Sequence, residues 1–275
     1  WRFRKSKYLQ SCTLGIFSRA RAMLKEGKKV LFSGTACQIA ALKLFLKRDY
    51  ENLLTVDVAC HGVSNSRLTE SYLQGCEKLY GKKIAAYSFR NKDRKLGAGR
   101  SSFAEFKFED GSKKKIDHDI LYRGFVKSLF IRESCDSCRF SGKGRVADFT
   151  IADFWGVERL SEEFSAGRGC SLLCVNTERA AKLMPKIAAL GRAEEFEIGP
   201  ACEYVGPLKG ERRPSGAPRA EFLKFAREEG MLPALKKFVK MPSLAERALS
   251  FAIRRIPMPG PAKNAAEKLR KILQK

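Results

Sequence analysis

Residues 28–60 combine two patterns that few architectures can use together. KKVLFSG (28–34) is a short apolar run closed by a glycine. TACQIAALKLFLK (35–47) has helical spacing, with Thr35 placed as its N-cap, and NLLTVDVAC (52–60) is a second apolar run. A strand, a helix and a strand in that order form a crossover unit, so the two strands are predicted to lie parallel in one sheet. Each carries a cysteine at its carboxyl end: Cys37 lies just past the first strand and Cys60 closes the second.

The rest of the chain extends this core. Residues 12–26 read as a helix with Ile16, Ala20, Met23 and Leu24 on one face and Gly27 as its stop, and 65–81 read as another. Residues 83–90 and 101–111 alternate like strands, and Gly111 turns the second into SKKKID as a hairpin. Residues 118–130 look helical, 131–145 form an irregular cysteine-bearing loop, and 146–156 and 170–177 are strand-like. A helix over 178–190 is kinked, or starts, near Pro185. The predicted fold is α/β: a mixed, partly parallel sheet with flanking helices, plus a basic helical C-terminal tail. A main domain over 1–205 and a tail over 206–275 are expected, and because the chain opens on Trp1, an N-terminal portion is expected to be missing.

Charge sets the tail apart. The chain has 54 Lys+Arg against 30 Asp+Glu, a net +24, which points to acidic partners. Residues 206–275 hold 17 of the basic and 6 of the acidic residues, a net +11. SLAERALSFAIRRI (243–256) puts Leu244, Ala248, Leu249, Ala252 and Ile256 on one helical face, AKNAAEKLRKILQK (262–275) repeats the style, and PMPGP separates them. Such helices suit an acidic partner subunit or an anionic membrane surface. A hydrophobic share of 44% allows a sizeable core, and no stretch is apolar for about 18 residues, the length a membrane span needs. A cytoplasmic location is expected, with the tail able to sit on the inner membrane face.

Nine scattered cysteines do not make a disulfide scaffold. Parallel strands end on the same sheet edge, where ligands usually bind, and adjacent strands are about 4.8 Å apart. The two strand-end cysteines are therefore predicted to be neighbours, with Cys37 at the positive end of a helix, where thiolate is favoured. Cys135 and Cys138 in CDSC have the spacing that lets two sulfurs reach one centre, and Gly142 and Gly144 let the backbone wrap around it. Four thiolates suit Zn²⁺ or a [4Fe–4S] cluster, and buried thiols remain the plain alternative. Cys12, Cys76, Cys170, Cys174 and Cys202 read as core or surface thiols.

SKYLQS (6–11), VLFSGTACQIAALKLFL (30–46), TVDVACHGVSNSRL (55–68), CDSCRF (135–140) and ADFTIADFWG (147–156), in that order, resemble the beta subunit of coenzyme F420 hydrogenase/dehydrogenase, chiefly its C-terminal domain, over about residues 5–190. The resemblance implies an iron–sulfur flavoprotein oxidoreductase carrying a [4Fe–4S] cluster and FAD. Electrons would pass to a deazaflavin or to another redox partner protein or subunit. Cys37, Cys60, Cys135 and Cys138 would be the cluster ligands, and Ser6, Lys7, Tyr8, Thr35 and Gln38 would lie near the flavin. The chain departs from the family pattern at Ala36 and Ala152, and in DRKLGAGR (93–100), where a Gly-Trp pair is common.

His61, directly after Cys60, is a candidate to tune the cluster by hydrogen bonding or to shuttle a proton. Asp153, beside Phe154-Trp155-Gly156, is a candidate flavin contact. Asp148 and Asp153 are charges within a strand pattern, where backbone donors offer a simpler use. Neither a dinucleotide fingerprint nor a phosphate loop is present, and no nucleic-acid motif appears. The competing classes are a zinc-stabilised basic binding module and a member of the family that has lost its flavin.

Overall fold

A computed structural model describes residues 8–92, 102–164, 169–210 and 218–246. In chain order the elements begin with α1 (Ile16–Lys25), β1 (Val30–Thr35), α2 (Ala36–Leu46), β2 (Leu53–Val58) and α3 (Ser66–Tyr80). Strands β3 (Ile84–Lys92), β4 (Ser102–Phe108) and β5 (Lys113–Asp117) follow, then α4 (Ile120–Val126) and the single turn α5 (Glu133–Asp136). Strand β6 (Phe149–Asp153) and β7 (Ser171–Val175) precede the short helices α6 (Glu178–Ala181), α7 (Met184–Ala188), α8 (Ile198–Cys202) and α9 (Gly206–Lys209). The described chain ends with α10 (Pro218–Glu229) and α11 (Met231–Phe238).

The first sheet has the order β1-β2-β6-β7. Strands β1, β2 and β6 are parallel, with Val30 opposite Leu53 and Val58 opposite Ile151, and β7 closes the sheet antiparallel. The predicted crossover is therefore present, and the sheet is partly parallel as expected. One face is covered by α1 and α2, which bury Ala20, Leu24, Ile39, Leu42 and Leu46 against Phe32 and Leu53. Near β7, the helices α8 and α9 pack on the sheet through Leu172, Cys174, Cys202, Val205 and Leu208.

Two buried carboxylates stitch this sheet. Asp148 enters β6 and accepts from Thr55 N at 2.8 Å, Thr55 Oγ1 at 2.7 Å and Thr177 Oγ1 at 2.8 Å. Burial raises its pKa, but the bonds from Thr55 and Thr177 outweigh that, and the group lies below its ordinary value. The strand charge noted in the sequence thus serves backbone and hydroxyl donors. Asp57, inside β2, is paired with Arg145 at 2.9 Å, and both side chains are buried.

The second sheet, β3-β4-β5, is antiparallel. Its inner face, with Phe106 and Phe108, packs on α3 and α4 through Tyr72, Leu121 and Phe125. Asp119 caps α4, accepting from Tyr122 N, and takes the hydroxyls of Tyr72 and Tyr87 at 2.8 Å each. The hairpin expected at Gly111 is present, with Gly111 at φ 81°.

The sequence places a boundary between 205 and 206, and the structure carries the core past it. Phe222, Met231, Leu232, Leu235 and Val239 belong to the same buried cluster as Tyr72, Phe106 and Phe130. Close approach makes this possible: a Cβ on Gly75 would meet Leu232 at 2.8 Å, and one on Gly124 would meet Leu235 at 2.7 Å. Leu244 is exposed. The rest of the predicted helix over 243–256, beyond Glu246, and all of 262–275 lie outside the described residues, as do 93–101.

Candidate functional site

The carboxyl ends of β1 and β2 open on a cavity of about 430 Å³. Cys37, Cys60, Cys135 and Cys138 all line it, together with Thr35, Gln38 and His61. Parallel pairing brings the first two together, since Thr35 sits opposite Val58 and each strand then delivers its cysteine to the same edge. Cys37 follows in the first turn of α2.

Thr35 takes the N-cap position of α2 with φ −77° and ψ 158°. Its backbone N–H donates to Gln38 Oε1 at 2.9 Å, and its hydroxyl lies 3.0 Å from Cys37 Sγ. Gln38 Nε2 in turn donates to Ser11 Oγ at 2.9 Å. Thr35 and Gln38 thus hold the Cys37 turn and tie the N-terminal segment to the cavity wall. A lone bridge from Leu9 to Ser64, and the Ser64 hydroxyl on Tyr8 O at 3.1 Å, continue that attachment.

The second cysteine pair arrives on a loop pinned at both ends. Arg132 N donates to Val63 O at 2.9 Å, and the Arg132 guanidinium bonds Gln10 Oε1. Turn α5 then carries Cys135, whose N–H closes on Arg132 O at 2.9 Å. Beyond Cys138, Gly142 at φ 110° donates to Pro207 O at 2.8 Å. Arg145 anchors the far end: its guanidinium meets Asp57, Phe140 O at 2.5 Å and Val58 O at 3.3 Å.

The Cys60 thiol is pushed up to about 11, mainly by burial. A bond to the Gly62 carbonyl opposes the rise, and charge on Cys135, Cys37 and Cys138 adds to it. Among the described residues no group of three or more His, Cys, Asp and Glu side chains stands ready to hold a metal ion. The thiols border a shared space instead of meeting at one point.

His61 Nε2 lies 3.2 Å from Phe125 O and 3.3 Å from Ser128 Oγ. The carbonyl needs a donor, so Nε2 carries the proton there. Tyr8 lies behind the cavity, its ring packed on Phe125 at 4.9 Å, while Leu9, Gln10 and Ser11 reach the lining. Asp153 stands outside it and pairs with Arg90 at 3.5 Å. Ser6 and Lys7 lie outside the described residues. Of the other cysteines, Cys76, Cys174 and Cys202 are buried and Cys12 is exposed.

Sequence reasoning missed Arg145, Arg90 and Trp155. A signal for the first existed: Asp57 inside the apolar strand TVDVAC requires a cation, and GKGR offers one. Arg90 and Trp155 carried no such mark.

Residues 27–200 match the family model that describes the C terminus of the beta subunit of coenzyme F420 hydrogenase/dehydrogenase. No curated protein matches the chain. Among solved structures it is similar to a chain of the F420-reducing [NiFe] hydrogenase complex from Methanosarcina barkeri, at 16% identity over 82% of this chain and 69% of that one, with a TM-score of 0.45.

Proposed function

The chain belongs to the coenzyme F420 hydrogenase/dehydrogenase beta subunit family, a family of redox proteins, and from that premise we propose that it is an iron–sulfur flavoprotein oxidoreductase. Cys37, Cys60, Cys135 and Cys138 would hold a [4Fe–4S] cluster, and FAD would lie on the side of Tyr8, Thr35, Gln38, His61 and Asp153. The observation that carries this reading is that two strand-end cysteines and a C-x-x-C loop line one cavity of about 430 Å³. That volume suits a group of several atoms, and four thiolates are the usual donor set for one.

When bound, the two groups would supply single-electron and hydride transfer. The chain's own contribution is positional. Thr35 orients the Cys37 sulfur, Arg132 and Arg145 fix the two ends of the second cysteine loop, and Cys60 comes from a rigid strand end. His61, fixed through Nε2 on Phe125 O, places a ring beside Cys60. The electron acceptor in this reading is a deazaflavin or a redox partner subunit, and a net charge of +24 suits acidic surfaces or acidic coenzyme tails.

Anaerobic purification and iron analysis test the proposal. Serine at any of the four cysteine positions is expected to lower iron per chain and bleach the broad visible absorbance. If three of them can be replaced together with iron unchanged, the ligand assignment is wrong. A colourless protein retaining zinc would favour the binding-module alternative. Acid release should yield FAD, identified by mass, and iron-replete protein without flavin would leave a cluster protein alone.

A further inference from the structure

Asp119 is buried, and it does more than cap α4. The bond from Tyr122 N serves the cap. Two phenols add to it: Tyr72, on α3, donates to Oδ1 and Tyr87, on β3, donates to Oδ2, each at 2.8 Å. Burial raises the Asp119 carboxyl above its ordinary value in spite of these bonds. A carboxylate held in this way takes up a proton more readily than one in water. Burial, and then the charge of Asp119, push both phenols up, so both keep their protons in the resting protein.

A run of rings joins these phenols to the cysteine cavity. His61 lines the cavity, and its ring lies 5.2 Å from that of Phe125 between centroids. Phe125 meets Tyr8 at 4.9 Å, Tyr8 meets Phe89 at 5.8 Å, and Phe89 meets Tyr87 at 4.6 Å. Tyr87 and Tyr72 are then 6.1 Å apart. Core packing accounts for the rings, but it does not call for two hydroxyls on one buried carboxylate. The hydroxyls also differ in what they face. That of Tyr8 accepts from the Arg90 guanidinium, which takes up no proton. Those of Tyr72 and Tyr87 face an acceptor. A phenol that loses an electron becomes a strong acid, so it is readily oxidised only where its proton has a place to go. Tyr8 is therefore a stepping stone, and Tyr87 and Tyr72 are the end of the run.

We propose that this run draws oxidising equivalents out of the cysteine cavity and holds them as a neutral tyrosyl radical on Tyr87 or Tyr72, with Asp119 taking the phenolic proton. The oxidant is of the hydroxyl-radical class, formed from peroxide in the cavity. It gains one electron from the chain and one proton from the solvent, and leaves as water. The phenol loses one electron, by way of Tyr8, and one proton, to the Asp119 oxygen that it already touches. The thiols that border the cavity are the groups spared. The relay goes beyond the redox reading above, since it requires only that an oxidant forms in the cavity.

The test supplies the oxidant by light and needs no bound cluster, so its failure leaves the redox reading intact. A ruthenium polypyridyl is coupled to Cys37, an exposed thiol of the cavity, in the full chain with Cys12→Ser, and peptide mass confirms the single label. A flash in the presence of a soluble electron acceptor leaves trivalent ruthenium, which takes one electron from the chain. The narrow absorption band of a neutral tyrosyl radical is then expected. Its yield should fall about tenfold or more in Asp119→Asn, the value of a charged acceptor in a hydrogen bond. Asparagine still caps α4, so that variant keeps the fold. Tyr72→Phe combined with Tyr87→Phe should abolish the band, and Tyr8→Leu should suppress it by opening a gap in the run. If the double phenylalanine variant does not fold, Asp119→Asn decides the matter. A parent without the band, an equal band in the parent and Asp119→Asn, or a band that survives Tyr8→Leu overturns the relay. A tryptophan radical in its place, at Trp155 beside the cavity, overturns it as well.

Discussion

Asp57 and Arg145 show what a single buried charge demands. Both side chains are almost wholly out of water, and the pair is joined at 2.9 Å. Removing only the cation strands a carboxylate in the sheet, so Arg145→Met is expected to lower stability by about 3–5 kcal/mol. Adding Asp57→Asn should recover part of that loss, as read from denaturant midpoints at constant slope. No recovery would mean that Arg145 matters mainly through its bonds to Phe140 O and Val58 O. Cys60 gives a second residue-level expectation. Burial disfavours its thiolate and pushes it up to about 11, so at neutral pH the metal-free chain holds a thiol there. Its alkylation rate should climb about tenfold per pH unit from pH 7 to 10, because only the thiolate reacts. A plateau near pH 9, read by mass spectrometry of the labelled peptide, would contradict this. The same shift makes the folded chain favour the protonated thiol, so its contribution to stability is lost as pH rises towards about 11.

At the scale of elements, Asp148 joins β2, β6 and the start of α6. It accepts from Thr55 and Thr177 and sits below its ordinary pKa. Its contribution is therefore present at neutral pH and lost as the pH falls below the usual carboxylate range. Asp148→Ala should cost about 2–4 kcal/mol at pH 7, since it deprives buried donors of a charged acceptor. It should also flatten the acid limb of the stability curve, and an unchanged acid limb would show that another carboxylate dominates there. The helix predicted over 178–190 divides at Leu183 into α6 and α7, with Pro185 in the first turn of the second. Proline lacks the N–H that a continuous helix would use, and the first turn is where that lack costs least.

For the whole molecule, the C-terminal quarter is partly core and partly charge. Helices α10 and α11 fill the space between α3, α4 and Phe130 with Phe222, Met231, Leu232 and Leu235. Truncation after Gly210 should therefore expose that cluster, with dye binding to apolar surface and loss of a cooperative transition in near-ultraviolet circular dichroism. A truncated chain that still unfolds cooperatively at an unchanged midpoint would show the cluster to be dispensable. Among the described residues no helix is long and apolar enough to cross a membrane.

How much of this was legible in the sequence follows from the range of the forces involved. The strand–helix–strand unit, the Gly111 hairpin and the strand ends bearing Cys37 and Cys60 were readable, because periodicity, caps and turn chemistry act over a few residues. Parallel pairing then placed two cysteines on one edge without further information. The partners chosen across long stretches of chain were not readable. Nothing local says that Arg145 returns to Asp57, that the bulge at Phe89 and Arg90 brings a guanidinium beside Trp155, or that the apolar stripe of α11 is buried on α3. An amphipathic pattern states that a face must be buried and leaves open against what. Only tertiary packing, which trades desolvation against long-range complementarity, makes that choice.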